Sequence, residues 1–217
     1  MHFEYGAKEI KYLKSRDKLL GEAIDRIGPI YRKVDNDLFS SVVHHIIGQQ
    51  ISTSAQATVW KRLCASLGEV DADTVCACDR ESLNQCGMTF RKADYILDFA
   101  KKIKWGQFDL EALNTLTDEE VIKELSALKG IGVWTAEMIM IFCMQRPNIV
   151  SFGDLAIHRG MRMLYHHRSI DRKKFERYAR RYTPYGTTAS LYLWAIAGGA
   201  IPEMRDYAPK KKKEIKK

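Results

Sequence analysis

The 217-residue chain is poor in the residues that mark specialised protein classes. Five prolines and 14 glycines are too few for a collagen-like or low-complexity chain. No stretch approaches the ~20 apolar residues that span a membrane. The opening MHFEYGAKEIKYLKSRDKLL has no apolar signal-peptide core, so a cytosol-like compartment is expected. The five cysteines (Cys64, Cys76, Cys78, Cys86, Cys143) are odd in number and contain no C-x-x-C pair. That argues against a disulfide scaffold and against a four-cysteine zinc or iron–sulfur site. Strand patterns are nearly missing. The rest, 46% hydrophobic and 29% charged, is ordinary for a folded globular protein long enough to bury a substantial core.

Charge of one sign is scarce except in two places. The formal net charge is +8, yet residues 155–181 alone carry nine basic residues against Asp171 and Glu176, a balance of +7. The tail 210–217, KKKKEIKK, adds +5, leaving −4 for everything else. Such localisation fits an anionic partner, with a polyanion such as nucleic acid in front. The plainer reading, a solvated helix and a solubilising tail, stays open at this point. With Ile215 its one apolar residue, the tail is expected to be disordered.

Helical signals dominate what is present. Phe39, Val42, Val43, Ile46 and Ile47 recur at three and four residues, as do Val121, Ile122, Leu125 and Leu128, so both runs predict amphipathic helices. Thr117 with Glu120 predicts a capping box, and Ser52 and Gly68 bracket a helix over 53–67. All five prolines fall between such stretches. About ten to twelve short helices are expected.

The segment 125-LSALKGIGVWTAEMIMIF-142 predicts a helix that ends at Leu128, turns through Lys129, Gly130, Ile131 and Gly132, and restarts as Val133–Phe142. The two glycines allow a tight turn with no Cβ in the way, while Ile131 plugs into the core. Backbone N–H groups at the start of the second helix would then suit a phosphate, independent of sequence. An ordinary C-cap glycine is the alternative for a bare G-x-G. The whole pattern, apolar-x-x-apolar-x-Gly-Ile-Gly-x-x-x-Ala, resembles a helix-hairpin-helix DNA-binding motif.

Twenty-two residues beyond Gly132, in 149-IVSFGDLAIHRGMRMLY-165, stands Asp154. It reads as a helix N-cap, and a carboxylate there is expected to stay ionised. An ionised carboxylate can also stabilise the oxocarbenium-like sugar formed when a base leaves its deoxyribose. A Gly-Ile-Gly hairpin followed by Gly-Asp-Leu-Ala resembles the HhH-GPD superfamily of base-excision DNA glycosylases. Upstream, 46-IIGQQISTSAQA-57 and 87-GMTFRKADYI-96 resemble its 3-methyladenine DNA glycosylase branch. The likeness runs over roughly residues 36–200, with the motifs in the expected order.

The resemblance implies an all-α, two-lobed fold with a DNA-binding cleft between the lobes. One lobe, 37–148, would be a helical bundle with the hairpin; the other would combine 1–36 with 149–209 and carry Asp154 to the cleft. The extra N-terminal β-domain of some relatives is expected to be missing. The implied function is a monofunctional glycosylase that flips alkylated purines, 3-methyladenine and 7-methylguanine, out of duplex DNA and hydrolyses their glycosidic bond. Trp134 stands where strand-cutting members carry a Schiff-base lysine, so water would be the nucleophile.

Asp154 would be the catalytic carboxylate, and Trp134 and Trp194 would stack on the flipped cationic base. Met138 replaces a tyrosine of some relatives and so alters the pocket's fit. A core role is equally open for Trp194. Lys129, Gly130, Gly132 and Val133 would meet phosphate, and the loop with Gln49, Gln50, Ile51 and Ser52 would fill the gap left by the base, Gln50 foremost. The resemblance also allows a monovalent cation on the carbonyls of Leu128, Gly130 and Val133, with no cofactor otherwise. His44 and His45, without a third ligand, read as structural or DNA-facing rather than metal-binding. The expected partner is double-stranded DNA with damaged bases, met by a monomer in the cytoplasm or, in a eukaryote, the nucleus. A glycosylase for oxidised or deaminated bases and a non-catalytic DNA-binding protein remain as alternatives.

Overall fold

The computed structural model describes residues 1–35 and 37–209; the lysine tail 210–217 lies outside the described residues. Among the described residues the chain forms twelve α-helices and one short 3-10 helix, with no strand beyond an isolated bridge between His2 and Lys33. The all-α expectation holds. No helix among these residues is long and apolar enough to cross a membrane.

The chain divides into two compact units. The first runs from Val34 to Gln145 and includes Met1. It contains α3 (Leu38–Gly48), α4 (Thr53–Leu67), α5 (Ala72–Cys76), α6 (Arg80–Gln85), α7 (Phe90–Lys104), α8 (Asp118–Ser126) and α9 (Val133–Phe142). Among the described residues, the second unit contains 2–33 and 146–209. Its helices are α1 (Ala7–Arg16), α2 (Lys18–Ile27), α10 (Leu155–Tyr165), α11 (Arg172–Tyr182) and α12 (Gly186–Ala197).

Local chemistry sets most of the boundaries. Nine helices start on an Asp, Ser or Thr whose side chain accepts a backbone N–H of the first turn: Asp17, Asp37, Ser52, Asp71, Asp79, Thr89, Thr117, Asp154 and Asp171. Thr117 and Glu120 form the expected capping box. The helix from Ser52 stops at Gly68, whose φ of +77° favours glycine.

In the first unit the apolar stripe of α3 (Phe39, Val42, Val43, Ile46, Ile47) is buried, with Phe39 stacked on Phe99 of α7 at 4.9 Å between ring centroids. The second unit is built around α12, which is buried on nearly all sides. It meets α10 so closely that a Cβ on Gly160 would lie 2.3 Å from the Leu193 carbonyl oxygen. A buried carboxylate ties α2 to α10 and α11. Asp17 caps α2 at the Leu20 N–H and accepts from the Tyr165 hydroxyl at 2.9 Å and from Arg181 at 2.9 Å. Tyr165 and Tyr182 share a 2.6 Å hydrogen bond, and burial pushes both phenols above their ordinary range.

Candidate functional site

The first unit carries the hairpin. Its first helix, α8, ends two residues before Leu128, because the last turn tightens through a Leu128 N–H to Leu125 carbonyl bond of 3.1 Å. The turn then passes through Gly130 at φ +84°, and the next helix starts at Val133 as the sequence predicts. Ile131 is buried in the core.

The two glycines have different reasons to be glycine. At Gly130 an added Cβ would meet Tyr95 Cδ2 at 2.3 Å, on top of the positive φ. Gly132 has φ −99° and ψ 172°, allowed for any residue, and no described atom lies within 4 Å of where its Cβ would be. The expectation that both serve the tight turn is therefore corrected for Gly132. Its missing side chain leaves an open approach to the start of α9, which has no side-chain cap. Val133 and Trp134 on that first turn are 55% and 46% exposed, while Met138 is buried at 4%. Lys129 is exposed, but its ammonium pairs with Asp98 at 2.7 Å, which raises its pKa.

The loop between α3 and α4 separates its residues by direction. Gln49 turns inward, and its Nε2 donates to the Gly130 carbonyl at 2.6 Å. Ser52 caps α4 at the Ala55 N–H. Gln50, at φ +58°, and Ile51 are exposed. A left-handed glutamine at a loop tip stores backbone strain of roughly 1–2 kcal/mol.

The same contacts test the cation. The Gly130 carbonyl accepts the Gln49 amide and the Leu128 carbonyl accepts the Ile131 N–H at 3.1 Å. Amide hydrogens thus stand against two of the three oxygens. Each of these carbonyl oxygens keeps a second lone pair that a cation could use, and no step below runs through a cation.

His44 and His45 do not assemble a metal site; among the described residues no cluster of three such ligands exists. His44 packs edge-on against Trp60, and His45 Nδ1–H donates to the Ser41 carbonyl at 2.8 Å. Burial lowers the pKa of both. Burial likewise pushes the Cys143 thiol up to about 11, leaving it unreactive at neutral pH.

The second unit carries Asp154, and the loop leading to it is tied down on α12. Thr187 Oγ1 donates to the Arg146 carbonyl at 2.5 Å and accepts the Ile149 N–H at 2.9 Å, and Ser190 Oγ donates to the Ile149 carbonyl at 2.9 Å. His158 Nε2–H holds the Phe152 carbonyl at 2.8 Å. Asp154 then caps α10: Oδ1 accepts the Ala156 N–H at 2.8 Å and the Ile157 N–H at 2.9 Å, and the residue is 7% exposed. Its orientation is fixed by backbone, with the helix dipole favouring the negative charge. Leu155 beside it is 85% exposed. Trp194 is partly buried against the core of this unit.

The basic segment is less free than its count suggests. Arg162 forms a bidentate pair with Asp206 at 2.6 and 2.7 Å, and Arg181 is committed to the buried Asp17. Counting those two acids lowers the local balance from +7 to +5. Arg172 lies over the Phe152 ring at 4.2 Å.

Comparison with known proteins gives this constellation its family. The model of HhH-GPD superfamily base excision DNA repair proteins matches residues 43–184. The solved DNA-3-methyladenine glycosidase of Bacillus halodurans is 31% identical, with a TM-score of 0.85 over 95% of this chain and 97% of that one. DNA-3-methyladenine glycosylase 1 of Schizosaccharomyces pombe is 28% identical over 72% of this chain and 71% of its own. Putative DNA-3-methyladenine glycosylase YfjP of Bacillus subtilis is 27% identical over 74% of this chain, which spans 59% of that relative's length. With the hairpin at Gly130–Gly132, the Asp154 cap at α10 and the model match across both, the chain belongs to the HhH-GPD superfamily of base excision DNA repair proteins.

Proposed function

We propose that the protein is a monofunctional DNA glycosylase that extrudes an alkylated purine, 3-methyladenine or 7-methylguanine, from duplex DNA and hydrolyses its bond to deoxyribose, leaving an abasic site. The observation that carries the reading is Asp154: a nearly buried carboxylate, aimed by two backbone hydrogen bonds, in a chain of this superfamily.

The chemistry needs little beyond what these residues supply. Alkylation has already made the base cationic, so the C1′–N bond breaks with its electron pair going to the base, and no proton donor is required. Positive charge gathers on the sugar, where the Asp154 carboxylate stabilises it. Water adds to C1′ and loses a proton to the carboxylate or to solvent. Trp134, exposed at the start of α9, stacks on the cationic purine. The open first turn of α9 at Gly132 grips a phosphate. Gln50 and Ile51, the exposed residues of the 48–52 loop, fill the gap the base leaves. The part of the 155–181 surface not committed to Asp206 and Asp17 attracts the duplex.

Release of 3-methyladenine and 7-methylguanine from methylated DNA tests the proposal, with oxidised and deaminated substrates alongside. Release confined to the latter would make this a glycosylase of another lesion class. Binding to abasic DNA with no release from any substrate would leave a DNA-binding protein. Borohydride should fail to trap the protein on abasic DNA, since Trp134 has no amine to form a Schiff base.

A further inference from the structure

The motif 87-GMTFRKADYI-96 has no part in the chemistry above, yet the structure sets it against both DNA-facing elements of the first unit. Thr89 caps α7, and the helix then presents Lys92, Tyr95 and Asp98, three residues apart, along one side. Lys92 Nζ donates to the carbonyls of Ile47 and Gln49, both at 2.7 Å. These oxygens lie at the C-terminal end of α3, where helix carbonyls lack intrahelical partners and the dipole favours a cation. The Tyr95 ring occupies the space a side chain at position 130 would need, and Asp98 holds Lys129 at 2.7 Å. Gln49 closes the circuit: its backbone carbonyl is held by Lys92 while its side chain donates to the Gly130 carbonyl at 2.6 Å.

We infer that Lys92 and Gln49 are positioning residues that brace the 48–52 loop onto the 129–132 hairpin, so that the element filling the duplex and the element gripping its backbone move as one body. The local economy supports this. Lys92 is drawn partly out of solvent beside Arg91, and this burial lowers its pKa from 10.5, a cost the two carbonyl bonds offset. The left-handed Gln50 directly follows the carbonyl that Lys92 holds, so the brace sits where backbone strain has to be maintained.

Only the effect on DNA rests on the glycosylase reading; the brace itself is a property of the folded chain. Lys92→Met and Gln49→Ala are compared with wild type in the full-length protein by hydrogen exchange and by single-turnover base release from methylated DNA. Loss of a charge-assisted hydrogen bond predicts that amides over 48–52 exchange about tenfold faster in Lys92→Met, with those of buried α9 unchanged. Gln49→Ala should loosen 48–52 and 130–132 together. Base release should slow by about tenfold in either variant, a larger factor than the loss of affinity for undamaged duplex. Unchanged exchange over 48–52 in both folded variants overturns the inference. So does a rise spread evenly through the unit, with release falling only in step with the folded fraction. Should wild type release no base, the glycosylase reading fails while the exchange comparison still decides the brace.

Discussion

Alanine at each hairpin glycine in turn should separate folding from DNA binding. At Gly130 the φ of +84° costs an alanine roughly 1–2 kcal/mol. Its Cβ would also stand 2.3 Å from the Tyr95 ring, overpacking worth about 1–3 kcal/mol. The sum, about 2–5 kcal/mol, corresponds to a melting temperature lower by roughly 4–20 °C in a chain of this size. At Gly132 the backbone suits alanine and the Cβ meets nothing. Reduced freedom of the unfolded chain gains ~0.4–1 kcal/mol there. Loss of glycine's preference at an N-cap costs about as much, so the net falls within about 1 kcal/mol of zero.

On the proposed function, the Gly132 methyl would nevertheless stand in the open approach a phosphate takes to the α9 amides, and binding should weaken by about tenfold or more. Thermal denaturation and fluorescence anisotropy with abasic-site duplex measure the two quantities separately. Equal destabilisation by both substitutions, or undiminished DNA binding by folded Gly132→Ala, would refute the division of roles.

Two further outcomes follow from the second unit. Gly160→Ala puts its Cβ 2.3 Å from the Leu193 carbonyl oxygen, a backbone atom that cannot rotate aside. It should cost about 1–3 kcal/mol in denaturant unfolding and slow base release, because α10 carries Asp154 at its start. Asp206 tests pH dependence: its hydrogen bonds from Arg162 hold its carboxyl below the ordinary 3.8. A carboxyl depressed on folding contributes stability above its unfolded pKa and loses it as pH falls through the folded one. The stability gap between wild type and Asp206→Asn should therefore be constant from about pH 5 to 8 and close below about pH 4. A gap that instead widens in acid would contradict the pairing.

The parts of this fold legible in the sequence are those written in local chemistry. Ser52, Gly68 and Thr117 announce their helix ends within three or four residues, and the α3 stripe announces the face it buries. The hairpin is local too, including the buried Ile131 and the restart at Val133.

What stayed hidden depends on partners distant in the chain. Gly130 and Gly132 look alike until Tyr95 is placed beside one of them. Gln49 and Gln50 are neighbours of identical type, and only the position of the Gly130 carbonyl shows which one turns inward. The charge of 155–181 overstated the free surface because Arg162 and Arg181 answer to Asp206 and Asp17, far off in sequence. Lys92 gave no sign of its place, since its partners are backbone carbonyls about 45 residues upstream, and such acceptors leave no mark on a sequence.

The most direct test of the central claim is single-turnover release of 3-methyladenine from methylated DNA by Asp154→Asn. Asparagine is as good an N-cap as aspartate, and its carbonyl can still accept the Ala156 and Ile157 amides. The variant should therefore melt within a few degrees of wild type and bind abasic DNA. With the charge gone, release should fall by about 10²–10³-fold. Release at the wild-type rate from the folded variant would contradict the account and leave Asp154 with the cap alone.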